Sequence, residues 1–381
     1  MKRAIVHMDM DTFFVSCERL RHSELVGKPI IIGGGERGVV ASCSYETRYY
    51  GVRSAMPMKM ALRLCPEAKV IRGDMEFYTQ KSREVTEIIQ ENVPTFEKAS
   101  VDEFYLDLSG MDRFFGCYKW SQQLAQSVVK NTGLPLSFAL SSSKTVSKIG
   151  TGEAKPLGKL EILPEETHPF LNPLSIRKIP MVGPSTYQLL SRIGIRRIHT
   201  LSQMPLDVLE RLLGKNAQDL WRKANGIDLS PVVPYSERKS ISSEHTFSED
   251  TMDTFQMQSL LNHMVEQLCF QLRKEQWLTS VVSVKIRYSN FDTESRQMKI
   301  PYSAVDHTLS RIVKELFKKV YTRRMRLRLV GVRFSGLVHG SHQMNLFEDT
   351  EEMIHLYQAM DRMKLRYGKN AVGRASGFHF S

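Results

Sequence analysis

The chain is poor in cysteine, with Cys17, Cys43, Cys65, Cys117 and Cys269 scattered and odd in number. With no C-x-x-C pair among them, a disulfide framework and a structural zinc site are both excluded, and a reducing cytoplasm is expected. Long apolar runs are missing too. Nothing approaches the roughly 18 consecutive residues that a membrane helix needs. The opening residues are basic, but Asp9 interrupts them before any signal-like apolar stretch develops, so the chain is expected to stay where it is made. The eleven histidines show no ligand spacing such as H-E-x-x-H. Internal repeats and low-complexity tracts are absent as well.

What is present is an ordinary globular composition, 41% hydrophobic and 25% charged over 381 residues, enough for two to four modest domains. The net charge of +12 is unevenly spread, with 17 Lys and Arg against 10 Asp and Glu from Arg238 to Gly340, and 5 against 5 thereafter. A block of this kind is either a solvated basic surface or a module that grips a phosphate backbone.

Hydrophobic periodicity predicts a short buried strand at 5–9, further strand-like runs at 29–33 and 39–44, and helices at 45–50, 58–64 and 74–92. Strands at 96–100 and 104–108, a helix at 118–130 and a strand at 136–141 follow. With 12–73 set aside, the order is strand, helix, strand, strand, helix, strand. That is the split βαβ, ferredoxin-like arrangement, carrying an insertion after its first strand. Prolines between Pro164 and Pro173 mark a domain boundary, and 176–227 reads as short helices broken at Gly183-Pro184, Gly194 and Gly214. A polar connector at 234–243 leads into the basic segment, where a helix (253–275), strands (280–288 and 297–300), a helix (304–320) and a strand (326–334) repeat the pattern. An amphipathic helix at 351–367 lies in the tail.

Two acidic sites stand out. Asp9-Met10-Asp11 ends the first strand, and Asp102-Glu103 lies in the tight link between two later strands. Central strands of such a sheet are neighbours, so these sites can converge. Taken singly, each acid reads as a solvated turn residue or a helix cap. Taken together, they read as a site for hard cations, because converging carboxylates repel unless neutralised and oxygen ligands with phosphate substrates suit Mg²⁺. Two such ions about 3.5–4 Å apart would serve phosphoryl or nucleotidyl transfer.

The motifs themselves are more specific. Met8-Asp9-Met10-Asp11-Thr12-Phe13-Phe14, Ser42-Cys43-Ser44-Tyr45-Glu46-Thr47-Arg48, Ser100-Val101-Asp102-Glu103 and Ala154-Lys155-Pro156 resemble, in order and spacing, the successive motifs of the Y-family (translesion) DNA polymerases, and its bacterial branch most closely. The resemblance runs from residue 1 to about 340. It implies an α+β, multidomain fold: a ferredoxin-like palm (1–11 and 74–165), inserted fingers (12–73), a helix-hairpin-helix thumb (166–233), a linker (234–240), an α/β little finger (241–340) and a tail (341–381). It also implies template-directed, low-fidelity deoxynucleotidyl transfer past damaged template by a monomer. The substrates would be primer-template DNA and deoxynucleoside triphosphates, with two Mg²⁺ per active site and no membrane partner.

Carried over residue by residue, the resemblance makes Asp9, Asp102 and Glu103 the carboxylate metal ligands, with the Met10 carbonyl beside them and Glu103 close to the primer 3′ hydroxyl. Asp11 falls to a supporting role. Phe14, which alone would read as core, becomes the steric gate that leaves no room for a ribose 2′ hydroxyl. Ser42, Tyr45, Arg48 and Lys155 become the triphosphate clamp.

Other segments carry weaker signals. Gly33-Gly34-Gly35-Glu36-Arg37-Gly38 contains G-x-G-x-x-G, but no helix follows, and a hairpin turn is expected. Residues 179–186 are similar to the family's thumb hairpin. Met181 stands where that hairpin has its first glycine, so a strained left-handed residue is expected. Ser240 to Phe247 resembles the opening of the little finger, whose odd-numbered Arg and Lys positions would track DNA backbone without reading sequence. Gln343-Met344-Asn345-Leu346-Phe347 looks like the pentapeptide that docks bacterial polymerases to the sliding clamp, through Gln343, Met344, Leu346 and Phe347. No third acidic cluster suggests a proofreading nuclease. Two other classes remain as alternatives: a non-catalytic DNA-binding protein on the same scaffold, and a nucleotidyl cyclase, which has no use for a basic C-terminal domain.

Overall fold

The computed structural model describes residues 3–35, 37–111, 116–235, 237–340, 351–368 and 371–373. Its chain divides into two units, Met1–Ser236 and Glu237–Ser381.

The first unit is built on alternation. Strands β1 (Ile5–Met10), β2 (Ile30–Ile32), β3 (Ser42–Cys43), β4 (Lys69–Ile71), β5 (Thr95–Lys98), β6 (Glu103–Asp107), β7 (Leu136–Ser141) and β8 (Lys159–Glu161) form two sheets. The larger has the order β5-β6-β1-β7-β8, with β1 antiparallel to both of its neighbours. Side chains alternate between faces along a strand. Val6, Met8 and Met10, Phe104 and Leu106, and Leu136, Phe138 and Leu140 therefore share one face. There they pack against Val85 and Ile89 of the helix Met75–Asn92 and against Leu124 and Val128 of the helix Cys117–Thr132. Each such burial contributes about 1.5–3 kcal/mol. The other face carries His7 and Asp9, Glu103 and Tyr105, and Ser137 and Ala139, and polarity concentrates there. The ferredoxin-like order predicted from periodicity is present, with β8 added at an edge.

The helix Lys144–Ala154 covers that second face and escapes the periodicity reading. Its sequence holds two glycines and four β-branched residues, a poor helix former by propensity. Tertiary contacts override this. Ser143 Oγ accepts from the Val146 N–H, and a Cβ on Gly150 would lie 2.8 Å from the Ala139 Cβ, so only glycine lets the helix approach β7 so closely.

Two further readings need correction. The helix Phe13–Arg21 was not anticipated, and its Phe13, Val15 and Cys17 belong to the large-sheet core. The strand expected at 39–44 shrinks to Ser42–Cys43, because Val39 is solvent-exposed and pairs only through a single bridge to Pro57. β2 and β3 pair antiparallel on either side of the glycine-rich loop, which has no helix after it. In the short helices that follow, Met181 adopts φ 79°, the left-handed conformation expected of it.

In the second unit the strands are β9 (Ser240–Thr251), β10 (Trp277–Tyr288), β11 (Thr293–Ser303) and β12 (Leu327–His339), ordered β11-β10-β12-β9 and all antiparallel. β9 begins inside the expected polar connector. Only Ile241 and Phe247 of its apolar side chains are buried, so its pattern is faint in sequence. Val282, Val284, Ile286, Val330, Val332 and Phe334 meet the helices Thr254–Lys274 and Asp306–Val320. The opposite face carries Lys285, Arg287, Lys299 and Arg333. The tail helix Glu351–Tyr367 is tied in by Arg273, which donates to both carboxylate oxygens of Asp361 at 2.6 and 2.9 Å. The pentapeptide 343–347 lies outside the described residues.

Candidate active site

Strand pairing brings the acids together. Asp9 of β1 stands directly opposite Glu103 of β6. The Met10 N–H donates to the Asp102 carbonyl at 3.0 Å, which makes Asp9 and Glu103 a non-hydrogen-bonded pair, the closer of the two antiparallel spacings. Both side chains therefore rise side by side from the polar face. One detail differs from the sequence reading: Glu103 is the first residue of its strand, and Asp102 alone occupies the bend. Asp102 is held there by Ser100, whose hydroxyl donates to its Oδ1 at 2.5 Å and accepts from the Glu103 N–H at 3.0 Å.

Like charges directly opposite on a sheet repel, and two lysines answer the repulsion. Lys155 donates to Asp9 Oδ1, and Lys148 Nζ lies 2.7 Å from both oxygens of Glu103. Burial pushes the Asp9 carboxyl up to about 7; Lys155 opposes this, and Glu103 and Asp102 reinforce it. Among the described residues no three acidic, histidine or cysteine side chains already form a closed metal cage. The lysines occupy Asp9 Oδ1 and both Glu103 oxygens. The donor set nonetheless fits a hard divalent cation, since three carboxylates and the Met10 carbonyl gather where the end of β1 meets the bend and start of β6, and all are oxygen.

Asp11 is engaged elsewhere. Buried, it accepts from Ser137 Oγ at 2.9 and 3.1 Å, from Tyr45 OH at 3.2 Å and from the Leu157 N–H at 2.7 Å. It fastens the loop after Lys155 to the sheet and leaves no oxygen for a cation. That loop also requires Gly158, where a Cβ would fall 1.8 Å from the Ala154 carbonyl oxygen.

A pocket of about 160 Å³ opens beside the acids, lined by Asp9, Met10, Thr12, Phe13, Phe14, Ala41, Ser42, Arg48, Ser54, Asp102 and Lys155. Four expected triphosphate or gate residues (Phe14, Ser42, Arg48 and Lys155) thus share it with three expected ligands (Asp9, Met10 and Asp102). Tyr45 contributes from behind, its ring under the Arg48 guanidinium at 4.9 Å. Burial, then the neighbouring Asp11 carboxylate, raises the Tyr45 phenol well above its usual value and keeps it a neutral donor. Phe14 stacks on Tyr78 with ring centroids 4.5 Å apart and planes 15° from parallel. Tyr78 is itself fully buried and donates to Glu18 Oε1 at 2.6 Å.

Sequence reasoning missed Lys148, Ser137 and Tyr78. A lysine in a weak helix pattern, a serine on a strand and a tyrosine on an amphipathic helix carry no local signal.

Comparison with known proteins follows the same lines. Residues 8–152 match the impB/mucB/samB family, and residues 238–346 match the C-terminal domain of that family. The chain is 33% identical over 375 residues to a DNA polymerase IV of Dehalococcoides mccartyi, covering 97% of this chain and 96% of that protein. It is 34% identical over 349 residues to the DNA polymerase IV of Halorhodospira halophila, covering 91% and 98%. Among solved structures, a Y-family DNA polymerase chimera superposes with a TM-score of 0.79 at 23% identity, over 88% of this chain and all of that one. DinB from Sulfolobus solfataricus matches the same shares with a TM-score of 0.60.

Proposed function

The chain belongs to the impB/mucB/samB family of Y-family, translesion DNA polymerases, and we propose that its DNA synthesis is carried by Asp9, Asp102 and Glu103 with the Met10 carbonyl. Membership implies dependence on a divalent metal. In our reading this is a pair of Mg²⁺ ions, which when bound would activate the primer 3′ hydroxyl and stabilise the departing pyrophosphate. The pairing of Asp9 with Glu103, one residue from Asp102 at the mouth of a pocket shared with Phe14, Arg48 and Lys155, carries this reading.

The remaining groups then have defined tasks. Ser42, Tyr45, Arg48 and Lys155 receive the triphosphate, as hydroxyl donors and cations set against its charge. Phe14 excludes a ribose 2′ hydroxyl, and Tyr78 behind it prevents the ring from withdrawing. The strands of the second unit grip the DNA backbone through Lys285, Arg287, Lys299 and Arg333 without reading sequence. Gln343, Met344, Leu346 and Phe347 dock the polymerase on the sliding clamp. It works as a cytoplasmic monomer. Among the described residues no helix is long and apolar enough to cross a membrane.

The test is primer extension with Mg²⁺ on plain and damaged templates. Asp102→Ala and Glu103→Ala are expected to abolish extension, by at least about 10³-fold, while DNA binding stays within a factor of about two. Extension at the wild-type rate by both variants sinks the assignment.

A further inference from the structure

We infer that Lys148 is the resident counter-ion of Glu103, a positioning residue that holds this carboxylate in place and must yield it before a divalent cation is bound. The inference rests on the carboxylate centre proposed above and adds a competition inside it.

Lys148 Nζ takes both Glu103 oxygens at 2.7 Å, so the carboxylate is oriented as a unit. The ammonium is delivered by a rigid element. Ser143 and Asp228 both cap the helix Lys144–Ala154, Gly150 seats it on β7, and the Thr151 hydroxyl donates to the His7 carbonyl at 2.9 Å. Lys155 already serves Asp9 and lines the nucleotide pocket, whereas Lys148 does not line it. Glu103 would otherwise face Asp9 across the narrow strand pair with no positive neighbour at hydrogen-bond distance among the described residues. Side-chain exposures of 34% and 25% keep the Lys148–Glu103 pair in reach of solvent. Water competes for such a pair, and it is weak enough to be exchanged for an ion of double charge. Holding Glu103 in this way reduces the fraction of the centre open to a cation, and the apparent affinity falls by that fraction.

The experiment measures Mn²⁺ binding to the full chain by electron paramagnetic resonance of the free ion, without DNA or nucleotide. Lys148→Met is expected to tighten Mn²⁺ binding about three- to tenfold, while Lys148→Arg stays near wild type. Lys144→Met removes the same charge one turn earlier, from a lysine paired with Glu97, and is expected to change the affinity by less than a factor of about two. Unchanged affinity in Lys148→Met, or equal tightening in Lys144→Met, overturns the inference. Asp9→Asn and Glu103→Gln serve as the separate check: if they still bind Mn²⁺ like wild type, the carboxylate centre itself is wrong.

Discussion

At the scale of single residues, the site depends on side chains whose neighbours leave them no choice. Phe14 is the clearest case. Its ring lies flat on Tyr78, and the Tyr78 hydroxyl is fixed by buried Glu18. Phe14→Ala is expected to raise ribonucleotide incorporation relative to deoxyribonucleotide by at least about tenfold, equivalent to ~1.4 kcal/mol of lost discrimination. Single-nucleotide kinetics with matched dNTP and NTP measure it, and unchanged selectivity removes the gate role. Tyr78→Leu should produce a smaller rise together with a loss of stability of about 2–4 kcal/mol, because Glu18 loses its partner and the core loses a ring. Asp11 teaches the opposite lesson. By composition it rivals Asp9 as a ligand, yet hydrogen bonds from Ser137, Tyr45 and the Leu157 N–H of the Lys155 loop commit both of its oxygens.

Elements matter through what holds them. The helix Lys144–Ala154 carries Lys148 and leads into Lys155, but its sequence does not favour helix. Its start is held by Asp228, which accepts from the Thr145 N–H at 3.0 Å and from the Thr145 hydroxyl at 2.7 Å. Burial alone would raise the Asp228 carboxyl, but hydrogen bonds from Ser230 and Thr145 outweigh it and bring the group below its ordinary value. A folded-state value depressed in this way contributes stability above the unfolded value of about 3.9, and the contribution is lost as pH falls through the folded one. Asp228→Asn is therefore expected to cost about 1 kcal/mol at pH 7, less than a dry cap would, since the group is only partly buried. The cost should shrink below about pH 4. Urea denaturation at pH 7 and pH 3.5 checks this, and an equal penalty at both values argues against an ionic cap. Helices with strong periodicity, such as Met58–Leu64 and Met75–Asn92, were legible in the sequence to within a residue. This one and the edge strand β9 were not, because neither carries the hydrophobic repeat that their burial would normally write into the chain.

Across the whole molecule, the large sheet of the first unit, with the 12–73 insertion and β8 set aside, and the second unit share one order, strand, helix, strand, strand, helix, strand, and put it to different uses. The first exposes paired acids on its polar face and the second exposes Lys and Arg. The basic surplus between Arg238 and Gly340 belongs to the second unit. Deleting residues 343–347 is expected to lower synthesis measured with the sliding clamp by about tenfold, with basal synthesis unchanged. Equal losses with and without the clamp argue against a docking peptide. All five cysteines are buried thiols outside any disulfide, and burial with a nearby Glu18 pushes the Cys17 thiol up to about 12. The native protein should accordingly react with a thiol reagent at pH 8 only after unfolding. Prompt labelling of even one thiol contradicts the packing described here.

The amino-acid sequence by itself determined the alternation of β1, β6 and β7, the positions of the acids at strand ends and the basic character of the second unit, because each of these is a local pattern of residue types. Tertiary structure alone decided which carboxylates face each other, which lysine serves which acid, that Asp11 is a fastener and that Tyr78 backs Phe14. Those outcomes depend on strand register and on contacts between residues as much as 146 positions apart, as with Lys155 and Asp9. No local pattern encodes such distances.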